Sequence, residues 1–166
     1  INDAVMRNIS VVAASGNDES STKMSSPGCI ANVTSVASTT TSDAVSSFSN
    51  TNSVTDLLAP GSSINSTSLS GGYTILSGTS MATPHVAGAL ALLRGARRDE
   101  LGAVLSSLEA EQALKHGKNI TDLRNGLVFP RIDAFSALLS MDKRAPRFNI
   151  SSPVNGSVIR NTSVSV

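Results

Sequence analysis

Residues 77–93 read SGTSMATPHVAGALALL, and this stretch is the strongest indication of the fold. The stretch begins as a Gly-Thr-Ser turn and continues with small and apolar residues, none of them charged. Four larger apolar residues recur at spacings near four and would share one face of a helix: Met81, Val86, Leu90 and Leu93. Small side chains fill most of the other faces, so the pattern predicts a helix that is buried on all sides.

Ser80 lies near the start of this predicted helix. The N–H groups in the first turn of a helix have no partners within the helix, so they can stabilise an anion. A serine delivered to this position by a turn is therefore a candidate nucleophile. On these features alone, a core helix with a serine near its start is the simpler interpretation.

The eleven residues 78–88 resemble the nucleophile motif of the subtilisin-like serine proteases, the subtilase or peptidase S8 family. By this resemblance, Ser80 is the nucleophile that attacks the scissile carbonyl. Two other serine chemistries fit less well. The nucleophile elbow of α/β-hydrolases needs a glycine where this chain has Ala82. The sedolisins share the Ser-Gly-Thr-Ser core but differ after it.

A second motif follows residues 9–14, a short uncharged run rich in β-branched residues. Such a run is typical of a buried strand in a parallel sheet, and ligands bind beyond the carboxyl ends of such strands. Residues 13–17, Ala-Ala-Ser-Gly-Asn, resemble the oxyanion segment of the subtilisins. This resemblance makes Asn17 a side-chain donor to the oxyanion, beside the N–H of Ser80. In isolation, Gly-Asn would simply indicate a turn, and sedolisins have Asp in place of this Asn.

The resemblance also assigns substrate contacts. It makes the backbone of Ala14, Ser15 and Gly16 one wall of the pocket for the residue before the cut. It places Ser25 near the base of that pocket. The family often has a cis proline in this region, which predicts a cis peptide bond before Pro27.

Two further groups are needed for this chemistry, because a serine nucleophile requires a base and a carboxylate that orients the base. In subtilisins both precede the serine, in the order Asp, His, Ser. Residues 1–79 contain four aspartates but no histidine. His85 is on a different face of the helix from Ser80, and His116 lies in a polar segment. We therefore expect the catalytic Asp and His upstream of Ile1, and expect this chain alone to be inactive.

Composition and charge exclude several classes of partner. The chain has 166 residues, of which 40% are hydrophobic, so it can build a core. Its net charge of +1 does not indicate a nucleic acid or another polyanion as partner. Neither a membrane-spanning segment nor a signal peptide is recognisable in the sequence. Oligomeric state is not indicated.

The single cysteine, Cys29, is either a buried thiol or half of a disulfide with a residue outside this sequence. No Cys/His pattern indicates a metal, and no cofactor is identified, although the resemblance allows structural calcium. Seven Asn-x-Ser/Thr sequons are present in a chain rich in these residues, and we infer no glycosylation from them.

Elsewhere the pattern predicts short elements between turns. Asp99 is a candidate cap for a second helix through Leu108, and residues 110–125 are predicted to be loop. A last amphipathic helix is predicted over residues 131–141. Strands are predicted at residues 33–37, at 55–58, and at 64 and 73–76 on either side of the Gly71-Gly72 turn.

The expected fold class is therefore α/β, a subtilisin-like three-layer fold with a parallel sheet whose N-terminal half is missing. Residues 1–141 are predicted to be the C-terminal part of the peptidase domain. Residues 142–146 form a charged linker, and residues 147–166 are predicted to be the first strands of a β-sandwich-like domain.

The function implied by the resemblance is serine-type endopeptidase activity on polypeptide substrates, through an acyl-enzyme on Ser80. The family is mostly secreted, which predicts an extracellular location. The alternative is a catalytically inactive subtilisin-like domain that serves as a binding or scaffold module. A surface-adhesion protein is a third interpretation, but it leaves residues 78–88 unexplained.

Overall fold

The computed structural model describes residues 1–102 and 104–141, with the side chains of residues 99–101 left aside. The predicted linker and β domain, residues 142–166, lie outside this part of the chain. No helix in the described part is long and apolar enough to cross a membrane. The elements are α1 (Asn2–Met6), β1 (Val12–Ala14), β2 (Thr34–Thr39), β3 (Leu57–Pro60), β4 (Ile64–Thr67), β5 (Tyr73–Leu76), α2 (Thr79–Leu101), α3 (Ser107–Leu114), β6 (Lys118–Thr121), β7 (Val128–Arg131) and α4 (Ala134–Met141).

A five-stranded sheet, in the order β1-β2-β3-β7-β6, forms the centre of the fold. The pairs β1–β2, β2–β3 and β3–β7 are parallel, and the pair β7–β6 is antiparallel. All six residues of β2 are buried, as expected for a strand covered on both faces. The predicted α/β class with a parallel sheet is thereby confirmed.

Helix α2 packs one face onto this sheet. Ala82, Val86, Leu90 and Leu93 are buried in a core that includes residues of β2 and β3. The opposite face is different, because Leu92 is 68% exposed and its small neighbours are exposed as well. The prediction of burial on all sides is therefore wrong for the described part of the chain. Small residues permit close packing on every face, but they do not require it.

The second helix does not begin at Asp99. Helix α2 continues to Leu101 and ends at Gly102, whose positive φ of 63° suits the end of a helix. Helix α3 instead begins after Ser106, which forms a capping box with Glu109. The Ser106 side chain accepts from the Glu109 N–H, and the Glu109 carboxylate accepts from the Ser106 N–H. Two reciprocal hydrogen bonds outweigh the single one that Asp99 offered.

The prediction of a loop over residues 110–125 is also wrong, since most of α3 and all of β6 fall within it. The buried stripe of α3 consists of two alanines and Leu114, which is a weak apolar signal in the sequence. The predicted strands are confirmed with shifted ends, and α4 confirms the last helix in shortened form. Strands β4 and β5 form the predicted hairpin around Gly71-Gly72.

Candidate active site

Ser80 is the second residue of α2, directly beyond the turn that connects β5 to the helix. Its side chain is exposed, while Gly78 and Thr79 on the same turn are buried. The Gly78 N–H donates to the carbonyl of Gly61, 2.8 Å away, so the turn is held against the end of β3. A Cβ on Gly61 would lie 2.7 Å from the Gly78 carbonyl oxygen. Gly61 therefore allows the close approach that places Ser80 at the carboxyl end of the sheet.

In the first turn of α2, one N–H group has no acceptor among the described residues. The Thr79 N–H donates to Asn17 Oδ1, and the N–H groups of Met81 and Ala82 donate to the Gly78 carbonyl. The N–H of Ser80 has no acceptor within residues 1–102 and 104–141. The free donor of this helix terminus therefore belongs to the candidate nucleophile itself.

Asn17 is brought to this turn by the loop after β1. Its Oδ1 accepts from both the N–H and the hydroxyl of Thr79, each at 2.9 Å. Because the oxygen is held in this way, Nδ2 is the atom left to donate outward. A Cβ built on Gly78 would lie 3.4 Å from Asn17 Nδ2 and 3.8 Å from Ser80 N. Both nitrogens therefore lie within 4 Å of one point beside Gly78, with Met81 Sδ 3.5 Å from the same point, and the oxyanion role of the two donors stays a prediction.

Thr79, to which the sequence assigned no role, links the two motifs. It is fully buried, its hydroxyl donates to Asn17, and that hydroxyl accepts from the Gly16 N–H at 3.3 Å. A hydroxyl at the first position of a helix, directly before the nucleophile, was the available signal. Its partners could not be read from the sequence because they lie more than 60 residues away.

The predicted pocket wall, Ala14, Ser15 and Gly16, forms the end of β1 and the start of the loop that carries Asn17. Ser15 is fully buried and donates its hydroxyl to the Asn50 carbonyl at 2.7 Å. Gly16 has a φ of +108°, which glycine adopts without strain. The role of these three residues toward a substrate stays a prediction.

Ser25, predicted near the pocket base, donates its hydroxyl to Asp18 at 3.0 Å. The same Asp18 carboxylate accepts from Asn50 Nδ2 at 2.8 Å. The hydrogen bond from Asn50, followed by that from Ser25, lowers the pKa of Asp18. The predicted cis peptide bond between Ser26 and Pro27 is confirmed.

An ion pair between a buried carboxylate and a partly exposed arginine lies next to residues 47–51, and the sequence did not predict it. Asp122 is 2% exposed and pairs with Arg124 at 2.7 Å. Burial alone would raise the pKa of Asp122. Hydrogen bonds from Arg124 and Thr51, together with the charge of Arg124, outweigh burial and lower that pKa to about 2. A polar Asp-x-Arg in a loop carries no signal that distinguishes it from a solvated segment.

The other candidate catalytic groups are engaged elsewhere. The His85 Nδ1 lies 2.8 Å from the carbonyl of Met81, one turn back on α2. The His116 Nδ1 lies 3.2 Å from the carbonyl of Gln112. Asp56 bonds to Ser35. None of these contacts places a base on Ser80.

Cys29 is exposed and has no disulfide partner in the described residues, which argues against the buried-thiol alternative and leaves a disulfide with a residue outside this sequence as a prediction. Within the described ranges, no three His, Cys, Asp or Glu side chains converge as a metal site would need. The structural calcium that the resemblance allows stays a prediction without assigned ligands.

Comparison with known families agrees with this geometry. The model of the subtilase family matches residues 1–131 of the chain. The chain belongs to the subtilase family. The match includes both the loop that carries Asn17 and the turn that carries Ser80.

Individual relatives of this subtilase are serine proteases. The alkaline serine exoprotease A of Vibrio alginolyticus is 49% identical over 92 residues, which cover 55% of this chain and 17% of the relative. The intracellular serine protease of Paenibacillus polymyxa is 46% identical over 98 residues, which cover 57% of this chain and 30% of the relative. The chain thus matches less than a third of either relative.

Solved structures share the subtilisin-like fold. A cold-adapted subtilisin-like serine proteinase has a TM-score of 0.66 and 37% identity, with 80% of this chain and 48% of that one covered. The prenylagaramide maturation protease PagA has a TM-score of 0.74 and 26% identity, with 82% and 52% covered. The expected subtilisin-like architecture is therefore confirmed, over about half the length of these structures.

Proposed function

We propose that this chain is the nucleophile-bearing part of a serine endopeptidase. The observation that supports the proposal is that Ser80, an exposed residue, and Asn17 meet at one turn, where Ser80 N and Asn17 Nδ2 lie within 4 Å of one point beside Gly78. Ser80 Oγ would attack the scissile carbonyl, and the two donors would bind the oxyanion of the tetrahedral intermediate. The amine then leaves, and water hydrolyses the acyl-enzyme on Ser80.

The mechanism also needs a base for Ser80 and a carboxylate that orients the base, and both belong to a segment outside residues 1–166. Ser80 has neither among the described residues, and subtilisins place both upstream of the serine. We therefore propose that a segment before Ile1 supplies an Asp motif and then a His-Gly motif, and that residues 1–166 alone do not cleave peptides. Determining the coding sequence upstream of Ile1 tests this directly.

Secretion is part of the proposal. One relative, from Xanthomonas campestris and 48% identical over 101 residues, carries the name extracellular protease. Another relative is named an intracellular protease, so family membership alone does not decide the compartment. A signal peptide upstream of Ile1 is the feature that the proposal requires.

The decisive experiment uses the full-length protein and a fluorophosphonate probe, which labels activated serines. We expect labelling of the wild type and complete loss of labelling and of peptide cleavage in Ser80→Ala. In subtilisin, a member of the same family, loss of the nucleophile costs about a millionfold in kcat. An internally quenched peptide blocked at both ends distinguishes endopeptidase from exopeptidase activity.

Ser42→Ala is the matched control, because Ser42 bonds only within its own exposed turn. It should keep full labelling and full cleavage. If the wild type is not labelled, or if Ser80→Ala retains activity, the endopeptidase proposal is overturned. An unlabelled and inactive wild type favours the binding-module alternative, which a replaced upstream histidine would support, whereas an active Ser80→Ala protein would mean that another residue is the nucleophile.

A further inference from the structure

We propose that Asn50 is a positioning residue for Asn17. Asn50 holds residues 15–20, which we call the oxyanion loop, and Arg124 and Asp122 hold the segment that carries Asn50. The catalytic consequence rests on the proposed endopeptidase function. The positioning itself is a property of the fold and can be measured without catalysis.

The Asn50 side chain uses both ends of its amide on the oxyanion loop. Its Oδ1 accepts from the N–H of Asp18 at 2.9 Å and from the N–H of Ser20 at 3.0 Å. Its Nδ2 donates to Asp18 Oδ2 at 2.8 Å and reaches the Ser15 carbonyl at 3.3 Å. One side chain, 1% exposed, therefore holds residues on both sides of Asn17.

The backbone of Asn50 makes two further hydrogen bonds to this loop. Its N–H donates to the Gly16 carbonyl at 2.9 Å, and its own carbonyl accepts from the Ser15 hydroxyl at 2.7 Å. A Cβ on Gly16 would clash with Asn50 Nδ2, so the loop and Asn50 are in direct contact. Asn17 lies between this contact and Thr79, which holds its Oδ1. Movement of the loop away from Asn50 would therefore shift the Asn17 amide relative to Ser80.

Arg124 fixes the segment that carries Asn50. Its guanidinium donates to the carbonyls of Ser47 at 3.0 Å and Ser49 at 2.8 Å. On the other side of Asn50, the Thr51 hydroxyl donates to Asp122 Oδ2 at 2.5 Å. Since Asp122, which is buried, also pairs with Arg124, the segment is bound on both sides of Asn50 by one ion pair.

An amide is needed at position 50 because it must both accept and donate. Asn50→Asp keeps the shape and the acceptor oxygen but turns an oxygen toward the Asp18 carboxylate, replacing a hydrogen bond with repulsion. In the exchanged pair, Asn50→Asp with Asp18→Asn, an amide donor again faces a carboxylate. The exchange therefore restores the contact with donor and acceptor reversed.

The kinetic test measures kcat and KM of the full-length protease with a peptide substrate. We expect Asn50→Asp to lower kcat by about 10- to 100-fold with KM changed less than about threefold, since an oxyanion donor is worth about two to three powers of ten in subtilisin. In an Asn17→Ala background the same change should lower kcat less than about threefold, because the group it positions is gone. The exchanged pair should recover at least about fivefold.

Asn52→Asp is the matched control, because Asn52 lies in the same segment and bonds to the Val54 N–H and, at 3.5 Å, to the Thr22 carbonyl, but to none of residues 15–20. A second readout does not need catalysis. In the Ser80→Ala protein, amide hydrogen exchange of Thr79, whose N–H donates to Asn17 Oδ1, should accelerate at least about tenfold with Asn50→Asp and stay unchanged with Asn52→Asp.

Equal kcat losses in the presence and absence of Asn17, or unchanged exchange at Thr79, would overturn the positioning role while leaving the endopeptidase proposal intact. Conversely, if the full-length wild type cleaves no peptide, the endopeptidase proposal fails. Accelerated exchange at Thr79 in Asn50→Asp would still support the positioning role.

Discussion

Two regions near the Ser80 turn differ in how their side chains are held: one has buried polar side chains, and the other has exposed apolar side chains. The first, which we call the polar corner, comprises residues 15–20, 47–51 and 122–125. Its buried polar side chains are hydrogen-bonded to one another and to loop carbonyls. The second is the hairpin of β4 and β5, which leads directly into the Ser80 turn. Tyr73 and Ile75 of that hairpin are 75% and 65% exposed.

The difference shows where the geometry of the candidate site comes from. Asn17 belongs to the polar corner, which is held by contacts within this chain. The hairpin is attached near its base, where the Ser63 N–H donates to the Ser77 hydroxyl at 2.9 Å. Satisfied buried polar groups are costly to disturb, whereas exposed apolar side chains contribute little to folding. Stability and site geometry should therefore respond to changes in the corner far more than to changes in the hairpin.

The largest effect on stability is expected from Arg124→Met, because it leaves the Asp122 carboxylate buried without its charged partner. Because the Arg124 side chain is 29% exposed, we expect a loss of about 2 to 3 kcal/mol of unfolding free energy, at or below the low end for a fully buried pair. Urea unfolding in the Ser80→Ala background, which prevents self-digestion, measures this loss. Adding Asp122→Asn should recover part of it, since no charge then remains buried.

Lys118→Met is the control for that change. Lys118 pairs with Asp43 at 3.1 Å, but its side chain is 65% exposed, and such pairs are worth less than about 1 kcal/mol. If Arg124→Met costs no more than Lys118→Met, the polar corner is not the rigid region that the comparison requires.

An intermediate effect is expected from acid. The pKa of Asp122 is lowered to about 2 in the folded protein, below its ordinary value of 3.8. The unfolded chain therefore binds the proton more readily, and stability from this group is present above about pH 4 and lost as the pH falls through about 2. The loss amounts to about 2 kcal/mol. Asp122→Asn should show a shallower fall in unfolding free energy across this range, and an identical slope would contradict the assignment.

The sequence predicted the parts of the site that are encoded by consecutive residues. Residues 78–88 specify the turn and the helix start, and residues 13–17 specify a strand followed by a loop, so both Ser80 and Asn17 can be proposed from the sequence, and their roles stay predictions. The fold places these two segments together at the carboxyl end of the sheet. Thr79 lies within a motif, but its role depends on an oxygen 62 residues away.

The polar corner was missed for a related reason. Arg124 contacts carbonyls 75 and 77 residues earlier in the chain, and a carbonyl carries no residue identity that sequence could reveal. The error at Asp99 was local, since the capping box at Ser106 is visible as Ser-x-x-Glu. The exposed face of α2 was not predictable, because small residues are compatible with burial and with exposure.

The smallest effect is expected from Tyr73→Thr combined with Ile75→Thr. The two side chains project from the same side of β5, and threonine keeps a high preference for strands, so the hairpin itself should persist. Because both are largely exposed, the unfolding free energy should change by less than about 0.5 kcal/mol in urea unfolding of the Ser80→Ala protein. A loss above about 1 kcal/mol would mean that a surface outside the described residues packs against this side of the hairpin. The contrast with the polar corner would then be between a region held by its own chain and a region held by another part of the protein.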